Sequence, residues 1–93
     1  MMNRFRMHIW YSGRVQGVGF RYQARNLATG FEVAGTVRNL LDGRVELIAE
    51  GSRDELEAFR IAIRGSGLGP MIRDEQVNWS AGSGGFRGFE IVQ

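Results

Sequence analysis

The sequence contains no cysteine and only one histidine. The missing cysteines exclude a disulfide framework, a thiolate metal site and a cysteine nucleophile. No HExxH motif and no paired-carboxylate spacing is present either, and His8 alternates with apolar residues as a surface strand residue does. We therefore expect a fold held by its hydrophobic core alone, with no bound metal.

Long apolar runs are also missing. No stretch approaches the eighteen or so apolar residues of a membrane span, and the N-terminal "MMNRFRMHIWYSG" lacks the continuous apolar segment of a signal peptide. The net charge is only +2, which is too mild to indicate a nucleic-acid partner. These features predict a cytoplasmic protein without a membrane partner, and 93 residues suit one domain spanning 1–93.

The apolar spacing predicts alternating strands and helices. Apolar and polar residues alternate from Phe5 to Tyr11, as in a strand with one buried face. From Phe20 to Phe31 the spacing becomes helical, and Gly30 stands where a helix C-cap is expected. Two further alternating runs, Val33–Val37 and Val45–Ala49, flank "NLLDGR", whose Asp-Gly pair favours a hairpin.

A second helix and two short strands complete the predicted fold. Ser52 and Glu55 form a capping box that begins a helix ending near Gly65. The last 21 residues read as two short strands around a glycine and serine turn. The resulting βαββαβ order is typical of an α+β, ferredoxin-like α/β sandwich. We expect an antiparallel sheet of four to five strands with both helices on one face and the other face open. Its predicted core contains Leu27, Phe31, Val37, Leu47, Leu56, Phe59 and Ile63.

The stretch "SGRVQGVGFRY", residues 12–22, joins the first strand to the first helix. Successive main-chain amides at a helix N-terminus present positive charge to an anion, and residues 15–20 lie where such a nest would form. Arg21 could add a planar, bidentate donor. Neither the P-loop pattern nor GxGxxG is complete here, which disfavours nucleotide binding. An anion site and a plain tight turn with a solvated arginine both remain open.

Asn39 is the second unusual position. It shares the parity of Val33 and Val37, so its amide is predicted to point toward the face of the sheet that those valines bury. A buried amide needs hydrogen-bond partners. Asn39 could equally serve as the residue that prepares the following turn.

Three segments of the chain closely resemble acylphosphatases: "GRVQGVGFR" at 13–21, "GTVRNLLDGRVELIAEG" at 35–51 and "FRGFEI" at 86–91. The resemblance implies a ferredoxin-like enzyme that hydrolyses the carboxyl–phosphate bond of acyl phosphates without metal or cofactor. It also implies that Asn39 orients the attacking water and that Arg21 binds the phosphate. The implied phosphate-binding residues are Val15, Gln16, Gly17, Val18, Gly19, Phe20 and Arg21.

Two other functions compete with this interpretation. The domain could bind acyl phosphates without turning them over, since related domains occur inside larger carbamoyl-transfer proteins. It could also bind RNA, because the fold class hosts RNA-binding modules and "RVQGVGFRY" loosely echoes one of their motifs. That motif belongs on a central strand, however, whereas here it leads into a helix. We therefore expect the partner to be a small acyl phosphate and not a nucleic acid. We also expect the protein to be a monomer.

Overall fold

The structure, a computed structural model, describes residues 4–93. Residues 1–3 belong to the predicted domain 1–93 and to the N-terminal stretch considered above as a signal peptide, and they lie outside the described residues. A short 3₁₀ turn, Gly69–Met71, precedes the fourth strand. The elements in chain order are β1 (Phe5–Gly13), α1 (Phe20–Ala28), β2 (Val33–Asn39), β3 (Val45–Gly51), α2 (Arg53–Gly65), β4 (Ile72–Ala81) and β5 (Phe89–Ile91).

The five strands form one sheet in the order β4-β1-β3-β2-β5. The first four strands are antiparallel, as expected, but β5 runs parallel to β2, so the predicted all-antiparallel sheet is wrong and the sheet is mixed. β4 and β5 lie at opposite edges, and β4 has 10 residues, longer than expected. The chain between them must cross the sheet, and the N–H of Gly35 then donates to the carbonyl of Gly88 at 2.9 Å. This crossing fixes the direction of β5.

Both helices pack on one face of the sheet, where the core lies. The alternating side chains of β1 explain this, because Met7, Ile9 and Tyr11 are fully buried. Of the predicted core, Leu27 and Phe31 pack against the buried cluster but remain only partly buried. The other five predicted core residues are fully buried: Val37, Leu47, Leu56, Phe59 and Ile63.

The helix ends differ in detail from the predictions. α1 ends at Ala28 and is capped by Thr29, not by Gly30. α2 begins as predicted, with the Ser52 hydroxyl accepting the Glu55 N–H at 3.2 Å. The capping box is only half formed, because the Glu55 carboxylate accepts the N–H of Glu32 at 2.7 Å instead. Glu55 therefore ties the helix to the loop before β2.

The face of the sheet without helices is not fully open, contrary to expectation. The segment 82–88 folds over one end of it and buries Glu50 completely, although Glu50 alternates along β3 with the core residues Val45, Leu47 and Ala49. The Glu50 carboxylate accepts the N–H groups of Ser83 at 2.9 Å and Gly84 at 2.8 Å. It also accepts the Nε of Arg6 at 2.8 Å. One buried carboxylate thus fastens this segment to the sheet.

These hydrogen bonds decide the protonation of Glu50. Burial by itself raises the pKa of this carboxyl, but the N–H donors of Ser83 and Gly84 and the Arg6 guanidinium outweigh it and lower the pKa to about 2. The ordinary value is 4.5. Since the folded state holds the proton less tightly than the unfolded chain, ionised Glu50 stabilises the fold above pH 4.5, and this stabilisation is lost as the pH falls from there toward 2.

Replacing Glu50 by Gln should lower the free energy of unfolding at pH 7 by about 2 to 3 kcal/mol, because the charge-assisted hydrogen bonds are lost and an NH₂ group faces N–H donors. Urea unfolding measures the difference, which should shrink as the pH falls from 4.5 toward 2. Glu90→Gln, at an exposed position of β5, is the matched control and should have little effect. A Glu50→Gln difference that stays constant over this pH range would contradict the assignment.

Candidate active site

The loop between β1 and α1 presents unpaired main-chain donors. Within residues 4–93, none of the N–H groups from Val15 to Phe20 donates a hydrogen bond to another residue. An unpaired N–H group that is shielded from water costs free energy, so most such groups have a protein, solvent or ligand partner. A run of neighbouring donors of this kind can surround an oxyanion.

Two glycines give this loop its shape. Gly17 has φ = 76° and Gly19 has φ = 79°, in the left-handed region that other residues rarely adopt. A Cβ atom built on either glycine meets nothing within 4 Å. The glycines are therefore required for the backbone conformation and not to relieve crowding. Alternation of left-handed and right-handed residues turns successive N–H groups toward one side.

The N-terminus of α1 adds positive potential to the loop. Gly19 is its N-cap and supplies no side-chain hydrogen bond, and the first turn contains no acidic residue. α2 differs, because the Ser52 hydroxyl caps it and Asp54 and Glu55 lie in its first turn. Arg21 lies in the first turn of α1 and makes no ion pair or side-chain hydrogen bond with another described residue. Helix and guanidinium thus offer positive charge at the same end.

Buried side chains anchor both ends of the loop. Val15 is fully buried and Phe20 is 2% exposed, so each fixes the loop to the core. The ring of Phe20 packs against Tyr11, with ring centroids 4.9 Å apart. Burial, reinforced by Glu75, raises the pKa of the Tyr11 hydroxyl and keeps it neutral. Val18, between the anchors, is 42% exposed.

Gln16 connects the loop to the β2–β3 hairpin. Its side-chain Nε2 donates to the carbonyl of Leu40 at 2.7 Å and to the carbonyl of Arg44 at 2.9 Å. These two residues close the hairpin, where the Leu40 N–H also donates to the Arg44 carbonyl at 2.8 Å. The loop is therefore held against the residues that directly follow Asn39.

Asn39 ends β2 and lies opposite Val45 of β3. Two residues before it, Val37 is fully buried, in keeping with the predicted direction of the Asn39 side chain. The Oδ1 atom of Asn39 is buried and has no hydrogen-bond partner among the described residues. A buried acceptor of this kind is suited to a water molecule or a ligand donor.

The structure thus brings the predicted loop, residues 15–20, to the hairpin that carries Asn39. From the sequence, Gln16 is predicted only as part of the loop, and its two hydrogen bonds are not foreseen. The sequence indicates this role only by placing a polar glutamine between valine and glycine in the loop. The hydrogen-bond partners of Gln16 are 24 and 28 residues away. Such long-range pairing becomes visible only in the folded chain.

The described residues offer neither a cluster of metal ligands nor a membrane-spanning helix. No group of three or more His, Cys, Asp or Glu residues is arranged to hold a metal ion in residues 4–93. Neither helix in this part of the chain is long and apolar enough to span a membrane. His8, the lone histidine, binds Glu46 at 2.9 Å and stacks on Trp10 at 3.8 Å.

The fold is a ferredoxin-like α+β sandwich, and its first loop carries unpaired donors at a helix N-terminus. Comparisons with known proteins agree with this architecture. The acylphosphatase family model matches residues 7–91. An acylphosphatase of Roseiflexus sp. is 41% identical over 99% of each chain, and one of Anaeromyxobacter sp. is 45% identical over 92% of each chain. The crystal structure of acylphosphatase from Bacillus subtilis superimposes with a TM-score of 0.87 at 38% identity, covering 96% of this chain and 99% of that one. This chain belongs to the acylphosphatase family.

Proposed function

We propose that this protein hydrolyses the carboxyl–phosphate bond of acyl phosphates by in-line attack of water on phosphorus. The observation that carries the proposal concerns two sets of groups without a partner among the described residues. They are the N–H groups of Val15–Phe20 and the buried Oδ1 of Asn39, and Gln16 joins the loop to the residue that follows Asn39. Family membership and the names of the curated relatives support the same activity.

The loop and Arg21 hold the phosphoryl group. The main-chain donors bind its oxygens, and the Arg21 guanidinium adds two parallel donors and a full positive charge. Because the donors are fixed before the substrate arrives, they stabilise the charge on the equatorial oxygens in the transition state without reorganising. The helix N-terminus strengthens this effect. The positive charge that phosphoryl transfer requires is thereby supplied by the chain itself.

Asn39 holds the attacking water. Its Oδ1 accepts a hydrogen bond from the water and points one lone pair of the water oxygen at phosphorus. As the new P–O bond forms, the bond to the acyl oxygen breaks, and the carboxylate leaves with the electron pair. A carboxylate is a good leaving group, so no strong base is needed, and the water proton passes to a phosphoryl oxygen of the substrate. The products are a carboxylate and inorganic phosphate.

A small-molecule substrate suits the surface better than a nucleic acid. The face of the sheet without helices carries Trp10, but the basic side chains beside it already have a partner: Glu46 accepts His8 at 2.9 Å and Arg38 at 2.6 Å. His8 stacks on one face of the Trp10 ring, so only the other face is available to stack on a nucleic-acid base. The monomeric state and cytoplasmic location stay predictions.

Hydrolysis of acetyl phosphate should continue at an undiminished rate in excess chelator, because the proposed chemistry uses main-chain donors and Arg21 in place of a metal. Release of inorganic phosphate measures it. Added phosphate should inhibit competitively, since it binds the same loop, and phosphate monoesters, with their poorer leaving groups, should turn over far more slowly. Loss of activity on chelation would reject the metal-free mechanism.

Substitutions of Arg21 and Asn39 should separate binding from turnover. Arg21→Ala should raise KM and lower kcat, and Arg21→Lys should rescue poorly because a point charge replaces a planar pair of donors. Asn39→Ala should leave KM nearly unchanged while kcat falls by about 10²-fold, or roughly 3 kcal/mol, because only the water is misplaced.

Matched control variants show whether a change in kinetics comes from the substituted side chain or from loss of the fold. Arg25→Ala lies one turn further along α1 and Asn78→Ala lies at an exposed position of β4; both should behave as the unmodified protein. Unfolding midpoints are measured for all variants, because Asn39 adjoins a hairpin. A folded Asn39→Ala variant with undiminished kcat would show that another group holds the water.

A further inference from the structure

A cavity lined by cationic side chains adjoins the proposed phosphate-binding loop. It has a volume of about 460 Å³ and is lined by Gly13, Arg14, Pro70, Met71 and Arg73. It contains two arginines and no acidic residue. Arg14 is joined directly to Val15, the first residue of the loop, and neighbouring Cα atoms lie about 3.8 Å apart. The cavity therefore lies next to the first residue of the loop.

The cavity is built by an irregularity between β1 and β4. Ser12 pairs with Asp74 and Gly13 pairs with Ile72, so Arg73 is an extra residue that bulges out of β4. Bulges redirect a side chain and are frequent beside active sites. The backbone at Gly13 approaches the backbone before β4 closely, because a Cβ on Gly13 would lie 2.5 Å from the Met71 carbonyl oxygen. The Arg14 N–H donates to that same oxygen at 3.0 Å.

Neither arginine is neutralised within the described part of the chain. Arg14 and Arg73 are exposed, and neither makes an ion pair or a side-chain hydrogen bond with residues 4–93. The nearby Glu75 pairs instead with Arg60 and Arg64. Two like charges beside one cavity repel each other, and an anion placed between them removes this cost.

We propose that Arg14 and Arg73 bind a second anionic group on the acyl part of the substrate. The preferred substrate is then an acyl phosphate whose acyl chain ends in a carboxylate or phosphate. The phosphoryl group occupies the loop while the distal anion reaches the neighbouring cavity. This inference rests on the proposed function, because it assigns the other half of the same substrate.

The test compares acetyl phosphate, which has a neutral acyl group, with monosuccinyl phosphate, which carries a distal carboxylate. The unmodified protein should show a kcat/KM at least about tenfold higher for the second substrate, the size of one good charge-assisted contact. Arg14→Gln and Arg73→Gln should each reduce this ratio severalfold, and the double variant should abolish the preference. Arg87→Gln, at an exposed position of the 82–88 segment, is the charge-matched control and should keep it.

Added salt should also reduce the preference, because it screens exposed charges. Equal kcat/KM values for the two substrates, or an equal fall in Arg87→Gln, would overturn the proposal while leaving acyl phosphate hydrolysis intact. If the protein hydrolyses neither substrate, the proposed function fails, and calorimetric binding decides the inference on its own. 3-Phosphonopropionate should then bind more tightly than methylphosphonate to the unmodified protein but not to Arg73→Gln, and equal affinities would reject it.

Discussion

The candidate site depends on one side-chain amide. Gln16 lies in a loop whose N–H groups, from Val15 to Phe20, donate no hydrogen bond to another described residue. The two hydrogen bonds of its Nε2, to the carbonyls of Leu40 and Arg44, fasten this loop to the β2–β3 hairpin. Without them, Asn39 and the donors proposed to bind phosphate would belong to separate parts of the chain. With them, one element carries both the proposed phosphate-binding donors and the residue proposed to hold the water.

Contacts outside the candidate site hold the loop and the neighbouring strands in place. Phe20 and Val15 fix the loop ends to the core, and the backbone contact of Gly13 with Met71 fixes the end of β1 against β4. At the far end of the sheet, Glu50 holds the 82–88 segment. In the proposed mechanism, the loop, Arg21 and Asn39 need no acid or base of unusual strength, because their effect comes from position and from charge that is fixed in advance.

Sequence patterns predicted what depends on local periodicity. The strands, both helices and the buried valines follow from alternation and helical spacing, since one face of each element is apolar. Three features escaped prediction because they depend on distant partners. The alternation along β3 directs Glu50 away from the core, yet a segment 33 residues later buries it. β5 has only 3 residues, and its pairing with β2 follows from where the chain crosses the sheet. The Gln16 hydrogen bonds escaped for the same reason.

The most direct test of the account is an NMR titration of the main-chain amides with inorganic phosphate, in the unmodified protein and in Gln16→Met. The largest shifts should fall on the N–H groups from Val15 to Phe20 and on the Arg21 side chain. Gln16→Met, which cannot donate to the hairpin, should bind phosphate more weakly, whereas Gln76→Met, at an exposed position of β4, should not. Shifts centred on another part of the chain, or full phosphate affinity in Gln16→Met, would contradict the claim that this tethered loop is the phosphate site.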